Sequence, residues 1–152
     1  MRRWRIFVGG AFIASLGAVG WQFMQPPPAQ VGHSMITPDM ARLEDGASIV
    51  EVKLPLELSP DAQIGKRAFD AKCAACHGDN AAGQKGAAPP LVHKIYEPSH
   101  HADMTFVMAV QNGVRAHHWP FGNMPPVEGL TQGDVKYITR YVRELQRENG
   151  IE

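Results

Sequence analysis

The chain contains two cysteines, and both fall in one pentapeptide, Cys73-Ala74-Ala75-Cys76-His77. Two thiols three positions apart exclude a multi-bridge disulfide scaffold and leave redox, metal or haem chemistry as their use. A thioredoxin-like dithiol needs a βαβ frame, and half a zinc site needs a second ligand pair; neither is found along the chain. The adjacent histidine is the more specific signal. One helical turn separates the cysteines, so both thiols can reach one edge of a flat macrocycle while the next residue projects over its face toward the metal. Cys73 and Cys76 are therefore expected to form two thioethers to one covalent haem, with His77 as an axial iron ligand.

What surrounds this motif is one small domain with appendages, the natural reading of 152 residues. Acidic and basic residues balance at fifteen each, with no run of five like charges, so no nucleic-acid partner is expected. The stretch from Ile6 to Met24 carries no charge. As a helix it would extend about 28 Å, close to the hydrocarbon thickness of a bilayer. Arg2, Arg3 and Arg5 precede it, which places the N-terminus in the cytoplasm and the rest of the chain in the periplasm. Small residues at Ala18 and Gly20 or at Ala29 make only poor cleavage sites. The apolar run also exceeds the usual leader core of about 7–15 residues, so a retained anchor over 1–25 in the cytoplasmic membrane is expected.

Pro26-Pro27-Pro28 stops that helix, and 26–58 reads as an extended linker with scattered Pro, Gly and acidic residues. Within it, Ile49 to Leu54 alternates partly like a strand but has no evident partner. The domain proper spans 59–152. Ser59-Pro60-Asp61 matches an N-cap followed by proline at the first helical position, with Ile64, Ala68 and Phe69 at helical spacing. A middle helix is predicted from Ser99, its expected cap, to Asn112, with Phe106, Val107 and Val110 on one face and Gly113 ending it. Met104 and Met108 on this helix are expected to fill core space. Thr131 to Asp134 resembles a capping box ahead of the apolar stripe Val135, Ile138, Tyr141, Val142 and Leu145, and Gly150 closes that last helix.

From Ser59 to Ile151 the order of these features resembles the mono-haem class I cytochrome c family. Gly65 and Phe69 fit its N-terminal helix, the attachment motif follows, Pro89-Pro90-Leu91 sits where a proline backs the histidine, and Gly122-Asn123-Met124-Pro125-Pro126 looks like the sixth-ligand loop. Tyr141 stands where the closing helix presents an aromatic residue. The resemblance implies an all-α fold of about three main helices around one haem c, with first and last helices crossing at a glycine, here Gly65. Met124 is the expected sixth ligand, a soft thioether donor in a loop able to turn inward, with a histidine or an open position as alternatives. The Pro89 carbonyl is expected to accept the His77 Nδ1 proton. Trp119 either lines the haem edge, giving its indole N–H to a propionate, or packs in the core. His100-His101 and His117-His118 are adjacent pairs that do not share a helix face; with His33 and His93 they are expected to be solvated or capping residues.

These features imply an electron carrier rather than an enzyme, cycling Fe(III)/Fe(II) with both axial positions filled. Its partners would be the membrane and redox proteins such as a quinol-oxidising complex, a dehydrogenase or a terminal oxidase. The alternatives are a fixed haem subunit of a membrane oxidoreductase complex and a haem enzyme with an open sixth position.

Overall fold

Ser59 starts the first helix as the sequence predicts: its hydroxyl accepts from the Ala62 N–H, and Pro60 occupies the first turn, where no N–H partner is needed. The computed structural model describes residues 35–152. The proposed anchor and the first part of the linker lie outside the described residues, and among those described no helix is long and apolar enough to cross a membrane. Among the described residues four α-helices run in order: α1 (Pro60–Lys72), a single turn α2 (Ala74–His77), α3 (Asp103–Asn112) and α4 (Gln132–Glu148). Short 3₁₀ turns lie at Asp79–Ala81 and Lys94–Tyr96. Among the described residues there is no β-strand, only isolated bridges.

α4 is the organising element. Thr131 and Asp134 form the reciprocal capping box, and Val135, Ile138, Tyr141, Val142 and Leu145 are all buried. This stripe packs on α1, where Ala62, Gly65 and Phe69 form the buried face. Phe69 meets Tyr141 edge to face at 5.6 Å. Gly65 is where the backbones touch: a Cβ there would stand 1.9 Å from the Tyr137 carbonyl oxygen. The expectation of a glycine at the crossing is met, whereas Ile64 is 40% exposed and belongs to the outer face.

α3 begins at Asp103 and not behind Ser99: the cap residue is Ala102, three positions further on, and no side chain caps the helix. Val107 and Val110 pack against Val135 of α4, with Phe106 half-buried beside them. Met104 and Met108 lie off that stripe and are 58% and 50% exposed, so they do not fill the core. The residues 43–58, expected to be linker, contain no helix or strand but are bonded to the domain. Gly46 N–H donates to Lys85 O and Lys85 N–H to Ala47 O, while the N–H groups of Ile49 and Val50 share Ala82 O. Asn149 pairs with both backbone groups of Lys53. The alternating stretch from Ile49 to Leu54 is therefore no strand; Ser48 makes one bridge to Gln84, just before it.

Candidate functional site

Cys73 closes α1 through its N–H to Phe69 O at 2.7 Å, and the next turn, α2, is wound on the Cys73 carbonyl, which accepts from both Cys76 and His77. That single turn is too short to be stable in isolation. It is held because α1 is anchored on α4 and because Gly78 and Gly83 bring the following chain back over it. Gly78 has φ +72°, and a side chain there would strike the Gly83 carbonyl at 2.5 Å. Asn80 and Ala81 also take positive φ, 53° and 59°, conformations that cost a non-glycine residue of order 1 kcal/mol or more. The Tyr141 hydroxyl secures this turn by donating to Asn80 Oδ1 at 3.1 Å. Burial, then the Asp70 and Asp79 charges, push that hydroxyl up to about 12, so it remains a donor at neutral pH.

The return of the chain sets His77. Its Nδ1 lies 2.9 Å from the Pro89 carbonyl, which can only accept, so Nδ1 carries the proton and Nε2 keeps a lone pair. Burial holds His77 below the ordinary imidazole range, opposed in part by the Pro89 bond, so the ring is neutral and able to ligate. Both thiols are free. Cys73 is half-buried and pushed up to about 11 by burial and by Cys76, so it is a neutral thiol and not a standing nucleophile of the thioredoxin kind. Two free thiols one turn apart and a neutral imidazole with Nε2 unengaged fit a covalent haem.

Met124 is half-buried, and its backbone is fixed on both sides: Val114 and Met124 exchange N–H···O bonds at 2.9 Å. Gly113, at the end of α3, permits this contact, since a Cβ there would approach the Met124 carbonyl to 2.5 Å. Val127 N–H then bonds Val110 O, so the Gly-Asn-Met-Pro-Pro loop is seated against α3. Trp119 is buried with Ile49 and Ile95, its ring stacked on Phe121 and edge-on to His93. Among the described residues its indole nitrogen is the one buried side-chain polar atom without a hydrogen-bond partner. The Tyr96 hydroxyl, which burial pushes well above the usual phenol range, is influenced by this N–H but misses hydrogen-bond geometry with it. Core packing and an unspent donor thus coexist in one side chain.

Of the remaining histidines, His93 takes the capping role expected as one of its alternatives. His93 is buried, and its Nδ1 caps the Lys94–Tyr96 turn, while His33 lies outside the described residues. His100, His101, His117 and His118, expected to be solvated or capping residues, form one cluster: the two pairs meet across the fold, with His100 Nε2 3.3 Å from His118 Nε2. Neighbours within a pair do not share a helix face, but neither pair lies in a helix, so that rule did not apply. Burial first, and the neighbouring imidazoles after it, lower the proton affinity of His101 and His118.

Known proteins bear on this geometry. The family described as Cytochrome c matches residues 62–146. A curated relative, the Cbb3-type cytochrome c oxidase subunit FixP of Bradyrhizobium sp. (strain ORS 278), is 37% identical over 94 residues, 60% of this chain and 30% of that protein. The chain thus covers less than a third of that relative's length. No solved structure matches. The matched span opens inside α1 and closes near the end of α4, taking in the Cys73–His77 turn and the Met124 loop between them. Cytochrome c domains carry haem c and transfer electrons, and with more than half of its length in that match this chain belongs to the cytochrome c family.

Proposed function

We propose that the protein is an electron carrier of a membrane-bound respiratory chain, holding one haem c through thioethers to Cys73 and Cys76, with His77 and Met124 on the iron. Haem c supplies a one-electron Fe(III)/Fe(II) couple. The observation that carries this reading is the His77 ring: Nδ1 is committed to Pro89 O, so the ring is oriented and Nε2 alone is left for a metal. Seating of the Met124 backbone on Val114 supports a filled sixth position, which keeps substrates off the metal and reorganisation small. The Trp119 N–H is a spare buried donor suited to a propionate. The uncharged run from Ile6 to Met24 favours attachment to the cytoplasmic membrane with the domain in the periplasm.

A fixed oxidase subunit is the second reading, favoured by the 37% identity to a protein named as one. Mass spectrometry of what co-purifies with the tagged protein from detergent-solubilised membranes separates the two: a subunit brings its complex, a tethered carrier does not.

Covalent attachment has a direct test. Haem should stay with the wild-type chain through acidic organic extraction, and Cys73→Ala with Cys76→Ala together should release it. Release from the wild type would refute the thioether assignment.

For the sixth ligand, Met124→Ala should abolish the weak long-wavelength charge-transfer band of thioether-ligated ferric haem and open the iron to cyanide or carbon monoxide. The potential should fall by on the order of 0.1 V, a fraction of the roughly 0.8 V span that axial ligands control. The fold should survive, because the two backbone bonds to Val114 do not involve the side chain. Met104→Ala and Met108→Ala remove side chains that are at least half exposed and should leave band and potential alone. A band that persists in Met124→Ala would move the ligand elsewhere.

A further inference from the structure

We propose that His100, His101 and His118 form a binding site for a late first-row transition-metal ion, separate from the His77 haem ligand, with His117 at its rim. Their ligand atoms all lie within 4.8 Å of one another. Two nitrogens bound to one tetrahedral ion at about 2.0–2.1 Å stand about 3.3–3.4 Å apart. The His100 and His118 Nε2 atoms are already 3.3 Å apart, and the third donor lies within 4.8 Å of its partners.

The surrounding structure orients these rings as ligand shells do. His101 Nδ1 lies 2.6 Å from Ile95 O and His117 Nδ1 2.8 Å from Arg115 O. A carbonyl can only accept, so both rings carry their proton on Nδ1 and turn an Nε2 lone pair elsewhere. Within the described residues neither Nε2 has a hydrogen bond. Both turns that carry the pairs are fixed from behind. The N–H groups of His100 and His101 bond Glu97 O, and the Arg143 guanidinium holds the His101 carbonyl. On the other side Ala116 N–H bonds Asn123 Oδ1, and Trp119, next to His118, is buried.

The donor set selects the ion. All the ligands are imidazoles, and the nearby carboxylates are engaged, Glu97 by Lys94 and Asp103 by Arg143. Without free carboxylates, Mg²⁺ and Ca²⁺ are poor fits, whereas Cu²⁺, Zn²⁺ and Ni²⁺ suit imidazole nitrogen, with Cu²⁺ bound most tightly.

The test uses the full-length, haem-loaded protein purified without a histidine tag and titrated with CuCl2, ZnCl2 and MgCl2. One Cu²⁺ should bind per chain with Kd below about 1 μM. Electron paramagnetic resonance should show nitrogen couplings from imidazoles, Zn²⁺ should displace Cu²⁺ only in excess, and Mg²⁺ should not bind. His100→Ala and His118→Ala should each weaken Cu²⁺ at least about 100-fold with the haem spectrum unchanged. His100 is exposed and donates no bond to the core, so its variant stays folded and keeps the comparison valid should His118→Ala fail. Cu²⁺ affinity within threefold of wild type in His100→Ala, or no binding tighter than about 100 μM in the wild type, overturns the proposal.

Discussion

Replacing Gly65 with alanine is expected to cost the folded domain about 3 kcal/mol or more, the upper end of what overpacking costs. The added Cβ would stand 1.9 Å from the Tyr137 carbonyl oxygen, 2.5 Å from its carbon and 3.0 Å from Ile138 N. All three atoms are backbone of α4, which cannot yield by a rotamer change, so α1 and α4 must separate. Separation loosens the Phe69–Tyr141 contact and the burial of Ala62 and Leu145, and it tilts the end of α1 that positions Cys73. Alanine's better helix propensity, worth up to about 1 kcal/mol over glycine, offsets only part of this. Urea melts of the haem-loaded protein measure the loss. Arg67→Ala, on the exposed face of α1, serves as control and should stay within about 0.5 kcal/mol of wild type. A Gly65→Ala midpoint matching that control would mean that the helices do not cross in contact.

The legible parts of this fold are those fixed by local chemistry. The α4 stripe recurs at helical spacing from Val135 to Leu145 of a 17-residue helix, long enough for its period to be read, and Thr131 with Asp134 marks its start without tertiary help. Ser59-Pro60 works the same way for α1. The attachment motif is legible because its chemistry sits in five consecutive residues. Ser99 is a good cap by residue type, yet α3 starts behind Ala102, whose side chain can cap nothing, so local capping chemistry does not fix where this helix begins. Met104 and Met108 are core residues by type, but α3 presents only a narrow face, Phe106, Val107 and Val110, to α4.

The histidine cluster was illegible for a different reason. His100 and His118 lie eighteen residues apart, and their meeting depends on where the chain on either side of α3 is pinned. The same holds for residues 43–53, whose mixed composition resembles a linker: their attachment combines backbone hydrogen bonds, which any sequence can supply, with the burial of Ile49 against Ile95 and Trp119, which only the tertiary fold decides. In Trp119 core packing and an unspent donor occur together: it packs with Ile49 and Ile95, and its N–H remains unpaired.

Arg143→Leu is expected to cost about 3 kcal/mol, the second large loss of stability, and the source of that loss is specific. The Arg143 side chain is 6% exposed on α4. It donates from Nη1 to Tyr96 O and Gln146 Oε1, both at 2.6 Å, from Nη2 to His101 O, and from Nε to Asp103 Oδ1 at 2.8 Å, with the guanidinium 5.1 Å from the Phe106 ring. Leucine restores some apolar volume and leaves no buried charge behind. It does strip the donors from His101 O and Gln146 Oε1, each worth about 1–3 kcal/mol when unsatisfied away from water, whereas Tyr96 O keeps its bond from Gln146 Nε2. Asp103 is 74% exposed and simply turns to water, so its ion pair adds little. The expected order in urea melts is therefore Arg143→Leu far below Asp103→Asn, with the asparagine variant within about 1 kcal/mol of wild type. Amide exchange should quicken from Tyr96 to His101 in the leucine variant, because the carbonyls that tie this turn to α4 have lost their donor. Equal losses in the two variants would place the stabilisation in the surface ion pair and not in the buried carbonyls.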